Sequence, residues 1–154
     1  MIAHTRTLVL RDVRQVQVEM VREGGRGKPT ITGPENAVVL ARAILPTDRE
    51  GFAVIHCDGR RQPLSVELVA VGTINACIVH PREVFKGAIL ANAASIIVAH
   101  NHPSGDPLPT DEDFNITHRL VRVGSDLGIE VTDSLVVTAE AFHSMREHLE
   151  GGLA

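Results

Sequence analysis

Two histidines and a carboxylate fall within fourteen residues, as His100-Asn101-His102-Pro103 and, past a Pro-rich loop, Thr110-Asp111-Glu112-Asp113. Residues two apart on an extended strand point to the same face, so the imidazoles of His100 and His102 can reach one ion. Thr110 has the position and chemistry of a helix N-cap. Asp113, three residues on, falls in the first helical turn, where its carboxylate can turn back toward the strand end. Two imidazoles and one carboxylate suit zinc, and three protein ligands leave a fourth tetrahedral position for water, the arrangement of a catalytic rather than a structural site. The bland alternative is a Pro-rich turn followed by a Thr-x-x-Asp capping box. The metal reading is preferred because the His-x-His-Pro string ends a strand beside a helix start, where α/β proteins usually place their sites.

The elements that must hold these groups can be read from hydrophobic periodicity. Ser95 to Ala99 is a short apolar run bounded by a helix end and the loop His100 to Pro109, and so reads as a buried central strand. A long helix runs from Asp111 to about Leu127 and closes at Gly128, a C-cap. Upstream, Arg14 to Val21 alternates as a strand, a Gly-rich turn follows, and Pro34 opens a helix ending before Pro46. Phe52 to Cys57 and Leu64 to Val71 form a hairpin across Asp58-Gly59. Pro81 starts a helix through about Ala93, Ile129 to Thr138 is a strand, and Ala141 to Leu149 a final short helix. Strands and helices alternate without repeat or linker, so the expectation is one three-layer mixed α/β domain, with residues 1–33 a strand extension and 34–150 the core.

Composition narrows the function. At 154 residues, with 44% hydrophobic and 22% charged, the chain suits one compact core. Aromatics are 3%, with no Tyr or Trp, which argues against base-stacking platforms. The net charge of −4 carries no global footprint for nucleic acid, and Arg22, Arg26, Lys28 and Arg60-Arg61 read as solvated turn charges. The most apolar stretch, Gly87 to Ala99, is interrupted by Asn92 and Ser95, so no membrane span is expected. Cys57 and Cys77 lack C-x-x-C spacing and read as buried thiols in a reducing cytoplasm.

The string from His100 to Pro107 and Pro109-Thr-Asp-Glu-Asp113, together with Val79 to Phe85 and Ala91 to His100, closely resembles the RadC branch of the JAMM/MPN+ metallopeptidase superfamily. The likeness runs from about Asp48 to Glu147, with a preceding strand and helix typical of the shorter, mobile-element-type members. It implies a JAMM/MPN-type, cytidine-deaminase-like fold with helices flanking a central sheet, and one Zn2+ per chain held by His100, His102 and Asp113. It also implies a metal-bound water as nucleophile, and Thr110, where most members carry Ser, as the hydroxyl that hydrogen-bonds the developing oxyanion. A Glu from an early strand would move the proton. Glu50, in Arg49-Glu50-Gly51-Phe52, is favoured over Glu67, which reads as an ordinary outward strand residue. Asp133-Ser134 departs from the Asp-His common among relatives and leaves the zinc set untouched.

Competing signals are weaker. The contiguous His-Asn-His string is not the dispersed motif of the HNH nucleases, and the His-x-Glu and Pro-Cys-x-x-Cys of a zinc deaminase are absent. His118, His143 and His148 share no ligand spacing, and Asp106 and Asp111 read as loop and first-turn carboxylates. The leading expectation is a cytoplasmic zinc metallohydrolase acting on a peptide or protein, such as an extended C-terminal tail or an isopeptide conjugate. Alternatives are a DNA-repair-associated or mobile-element accessory protein with a non-proteolytic role, and a catalytically silent scaffold. Acidic charge weighs against direct nucleic-acid binding, and a homodimer stays open.

Overall fold

The computed structural model describes residues 30–73 and 77–150. The strand expected over Arg14 to Val21, the Gly-rich turn after it and its three basic residues lie outside those residues. In chain order the elements are α1 (Pro34–Arg42), β1 (Gly51–Cys57), β2 (Pro63–Val71), α2 (Pro81–Leu90), β3 (Ser95–Asn101), α3 (Asp111–Leu127), β4 (Glu130–Val137), β5 (Phe142–Ser144) and α4 (Arg146–Glu150). The strands form one mixed sheet in the order β2-β1-β3-β4-β5, parallel only between β3 and β4.

β1 and β3 are buried along their whole length because helices cover both faces of the sheet. On one face Ala53, Ile55, Ile97 and Ala99 pack with Ala37, Val38 and Ala41 of α1. On the other, Phe52, Val54, Ile96 and Val98 pack with Val84, Phe85 and Ala88 of α2 and Leu120 of α3. Two-sided cover is why these strands read as near-continuous apolar runs rather than as alternation. The result is the expected three-layer α/β architecture with β3 at its centre.

β3 runs two residues past the expected end, through His100 and Asn101, with His100 opposite Phe52 of β1 and Val136 of β4. α3 begins where the capping chemistry put it. The Thr110 hydroxyl accepts from the Asp113 N–H, and the Asp113 carboxylate accepts from the Thr110 N–H. Three acidic residues in the first turn complement the helix dipole. Gly128 ends the helix in the left-handed region at φ 71°, where a Cβ would be strained.

The C-terminal segment corrects the sequence reading. Ala141 to Leu149 is not one helix: residues 142–144 form β5, and only Arg146–Glu150 is helical. The Ala141 N–H donates to Thr138 Oγ1 at 2.9 Å, reversing the chain so that Phe142, His143 and Ser144 pair with Val137, Val136 and Leu135. The Arg42 guanidinium then closes the turn on the carbonyls of Thr138 and Ala141. A nine-residue helix has little stability of its own to set against this pairing.

α3 lies close on its neighbours at Gly124, where a Cβ would meet the Ile129 carbonyl oxygen and come within 3.1 Å of Phe85 Cζ. Gly124→Ala should therefore destabilise the domain by roughly 1–3 kcal/mol, against the gain of about 1 kcal/mol that alanine brings to a free helix. Chemical denaturation measures the sign directly.

Candidate metal centre

The centre forms where the C-terminal end of β3 meets the N-terminus of α3. The alternation of β3 places His100 and His102 on the α3 side, with their Nε2 atoms 3.1 Å apart. Asp113 Oδ1 stands 2.9 Å from His100 Nε2, and Oδ2 lies 3.4 Å from His102 Nε2. One ligand atom from each of the three lies within 4.8 Å of the others, and this is the group of metal-binding geometry among the described residues. His100 is buried, and the side chains of His102 and Asp113 are nearly so.

The atoms not facing this point are held by the protein. His102 Nδ1–H donates to the Asp106 carbonyl at 2.9 Å, which orients the ring so that Nε2 faces His100 and Asp113. Asp113 Oδ2 accepts from the Thr110 N–H at 2.7 Å and from the Thr110 hydroxyl at 2.9 Å. Phe52 lies parallel to the His100 ring, with centroids 6.2 Å apart. Burial by itself would raise the Asp113 carboxyl, but hydrogen bonds from His100 and His102 outweigh it and hold the group well below the usual carboxylate range. The hydrogen bond to Asp113 raises His102 above the ordinary imidazole value.

A groove of about 730 Å³ opens over these groups. One wall is Glu50, Phe52, Cys77, Ile78 and Val79, and the other is the first turns of α3 from Thr110 to Arg119. Burial pushes the Glu50 carboxyl above its ordinary value, with His102 and His100 pulling it back. The structure thus brings Glu50 and Thr110 to the same groove as His100, His102 and Asp113. Glu67 stands apart on β2, its Oε2 3.7 Å from His56 Nε2 and close against Gly87. Cys57 is buried as expected, whereas Cys77 is only half-buried and lines the groove. His118 is exposed beside Phe114, and His143 lies on β5; neither joins the cluster.

Residues 31–151 match the RadC-like JAB domain. The chain belongs to this family. A UPF0758 protein of Symbiobacterium thermophilum is 53% identical over 108 residues, 70% of this chain and 46% of that protein. One from Rubrobacter xylanophilus is 43% identical over 123 residues, 79% and 54% respectively. One from Desulforamulus reducens is 39% identical over 143 residues, 87% and 63%. The chain spans about half the length of the curated relatives it matches.

Two contributors to this RadC-like JAB site escape sequence reasoning. The Asp106 main-chain carbonyl orients His102 whatever side chain the position carries, so residue type holds no signal for it. Asn101, between the histidines in sequence, is buried, and its amide bonds the segment that carries Glu50. A polar residue at a covered strand end was the available signal, since such a group must find partners. No helix among the described residues is long and apolar enough to cross a membrane.

The coupling of His102 to Asp113 has a testable pH signature. A histidine raised on folding contributes stability that is complete below its unfolded value, about 6.5, and is lost as pH rises through the folded value. His56, lowered by burial, acts in the opposite sense and below about pH 6.5. The melting temperature of the metal-free protein should therefore fall as pH rises above about 6.5, and His102→Ala should flatten that slope. Calorimetry across the range checks both.

Proposed function

We propose that this RadC-like JAB domain is a zinc-dependent metallohydrolase that cleaves a peptide or isopeptide bond in a protein or peptide substrate. The observation that carries the reading is the convergence of the His100, His102 and Asp113 ligand atoms within 4.8 Å in a groove that also holds Glu50. The donor set fits the metal: two imidazole nitrogens and a carboxylate oxygen are zinc ligands, and three of them leave a position for water. Bound there, one zinc ion per chain supplies a Lewis acid that lowers the pKa of water to about 7.

The chain's own residues do the rest. Glu50, kept above the usual carboxylate range by burial, accepts the proton of the attacking water and delivers it to the departing nitrogen. Thr110 supplies a hydroxyl to the developing oxyanion, for which its hydrogen must turn away from Asp113 Oδ2. The open groove suits an extended segment, such as a C-terminal tail or the linkage of an isopeptide conjugate. Free Cys57 and Cys77 suit a reducing cytoplasm.

Purified protein should contain one zinc per chain by elemental analysis. His100→Ala, His102→Ala and Asp113→Ala should each lose tight binding, because two remaining ligands compete poorly with water. Full occupancy in His102→Ala removes the assignment.

Glu50→Gln should keep the metal and lose turnover by a factor of roughly 10²–10⁴, while Glu67→Gln changes little. Steady-state rates of both zinc-checked variants, on any peptide cleaved by the parent, decide the base.

Thr110→Ser should preserve the rate. Thr110→Val should lower it by about 10²–10³ with zinc retained. Equal rates for Thr and Val reduce Thr110 to a helix cap.

A further inference from the structure

We infer that Asn101 is a positioning residue for Glu50, its amide clamping the loop that leads into β1 so that the carboxylate stays beside the metal ligands. The inference rests on the hydrolase reading above and deepens it.

Asn101 lies between His100 and His102 at the end of β3, so its side chain leaves the strand on the face opposite theirs. It is 7% exposed. Its Oδ1 accepts from the Gly51 N–H at 2.8 Å, and its Nδ2 donates to the carbonyls of Pro46 at 2.7 Å and Arg49 at 2.8 Å. Two of these partners bracket Glu50: the Arg49 carbonyl precedes it and the Gly51 N–H follows it. The main chain of Glu50 is tied as well, its N–H donating to Thr73 O and its carbonyl accepting from the Gly72 N–H, both at 2.8 Å. With its peptide groups held on both sides, Glu50 keeps only side-chain rotation.

The match of groups is selective. One N–H and two carbonyls call for one acceptor and two donors on a short stem, which asparagine offers; aspartate accepts without donating, and leucine does neither. The clamp also springs from the same three residues that present both imidazoles. A single side chain on β3 thus ties the histidines to the main chain on both sides of Glu50, adding to the bonds of Glu50 with Gly72 and Thr73, and a movement of β3 carries both together. Displacement of a reacting group by about 1 Å costs about 10²-fold in rate.

The test uses the zinc-loaded full chain with Asn101→Asp, which keeps the acceptor and loses both donors, and with Asn101→Ser in case the carboxylate prevents folding. Zinc content, amide exchange across residues 46–52 and kinetics on a peptide cleaved by the parent are measured together. Full zinc is expected, with Glu50 and Gly51 amides exchanging roughly tenfold faster. With it, kcat should be about 100-fold lower at little-changed KM. No further loss should appear when the change is made on Glu50→Gln. Parental kcat, an equal additional loss on Glu50→Gln, or zinc loss with unchanged turnover per bound zinc overturns the inference. If the zinc-loaded parent cleaves no peptide, the hydrolase reading fails on its own account. The clamp is then judged by exchange alone, where unchanged rates at Glu50 and Gly51 overturn it and faster rates uphold it.

Discussion

The carboxylate of Asp113 meets two demands at once. Its Oδ2 accepts from the main-chain N–H and hydroxyl of Thr110, closing the capping box that starts α3. Its Oδ1 faces His100 Nε2 at 2.9 Å. A group held by three partners in a nearly buried setting has little freedom to move, so the helix start and the placing of Asp113 against His100 are fixed by the same hydrogen bonds. His100 comes from the central strand, locked between β1 and β4, and His102 follows its end with its N–H on the Val137 carbonyl. The site therefore sits between two rigid elements, and the intervening loop contributes chiefly the Asp106 carbonyl that turns His102.

Cover on both faces of β1 and β3 forces every polar group there to find a partner. Asn101 finds three, in Pro46, Arg49 and the first residue of β1, Gly51. Asp133 accepts from the Ser144 hydroxyl and the Ser134 N–H, which ties β4 to β5, while the Ser134 and Thr117 hydroxyls pair at 2.9 Å and tie β4 to α3. The Asp133-Ser134 step thus serves packing beside Ile97 and Val98, short of His100. His56 is the exception: Nδ1 pairs with the Ser65 hydroxyl at 2.7 Å, while buried Nε2 has no hydrogen-bond partner, and Glu67 stands 3.7 Å away. Burial accordingly lowers His56 and raises Glu67, so both favour their neutral forms.

Glu50 and Glu67 show how similar residues on adjoining elements acquire different surroundings. Both are raised by burial. Glu50, at the mouth of β1, lines the groove over His100, His102 and Asp113. Glu67 pairs across to Val54 in mid-strand and meets α2 at Gly87. Register along a sheet, rather than residue type, separates them.

Local chemistry made much of this protein legible from its sequence. The His-x-His alternation, the Thr110 to Asp113 capping box and the Gly128 stop depend on neighbours within a few residues, so α3 and the grouping of His100, His102 and Asp113 could be read directly. β1 and β2 were legible as a hairpin for the same reason. Long-range pairing was not. Residues 142–144 became a strand because β4 paired with them and Arg42 closed the turn before them, and β3 reached Asn101 because β1 and β4 extended its ladder. The role of Asn101 depends on Pro46, Arg49 and Gly51, some fifty residues away. Sequence sets which hydrogen bonds each residue can make; only the folded sheet decides which partners come within reach to make them.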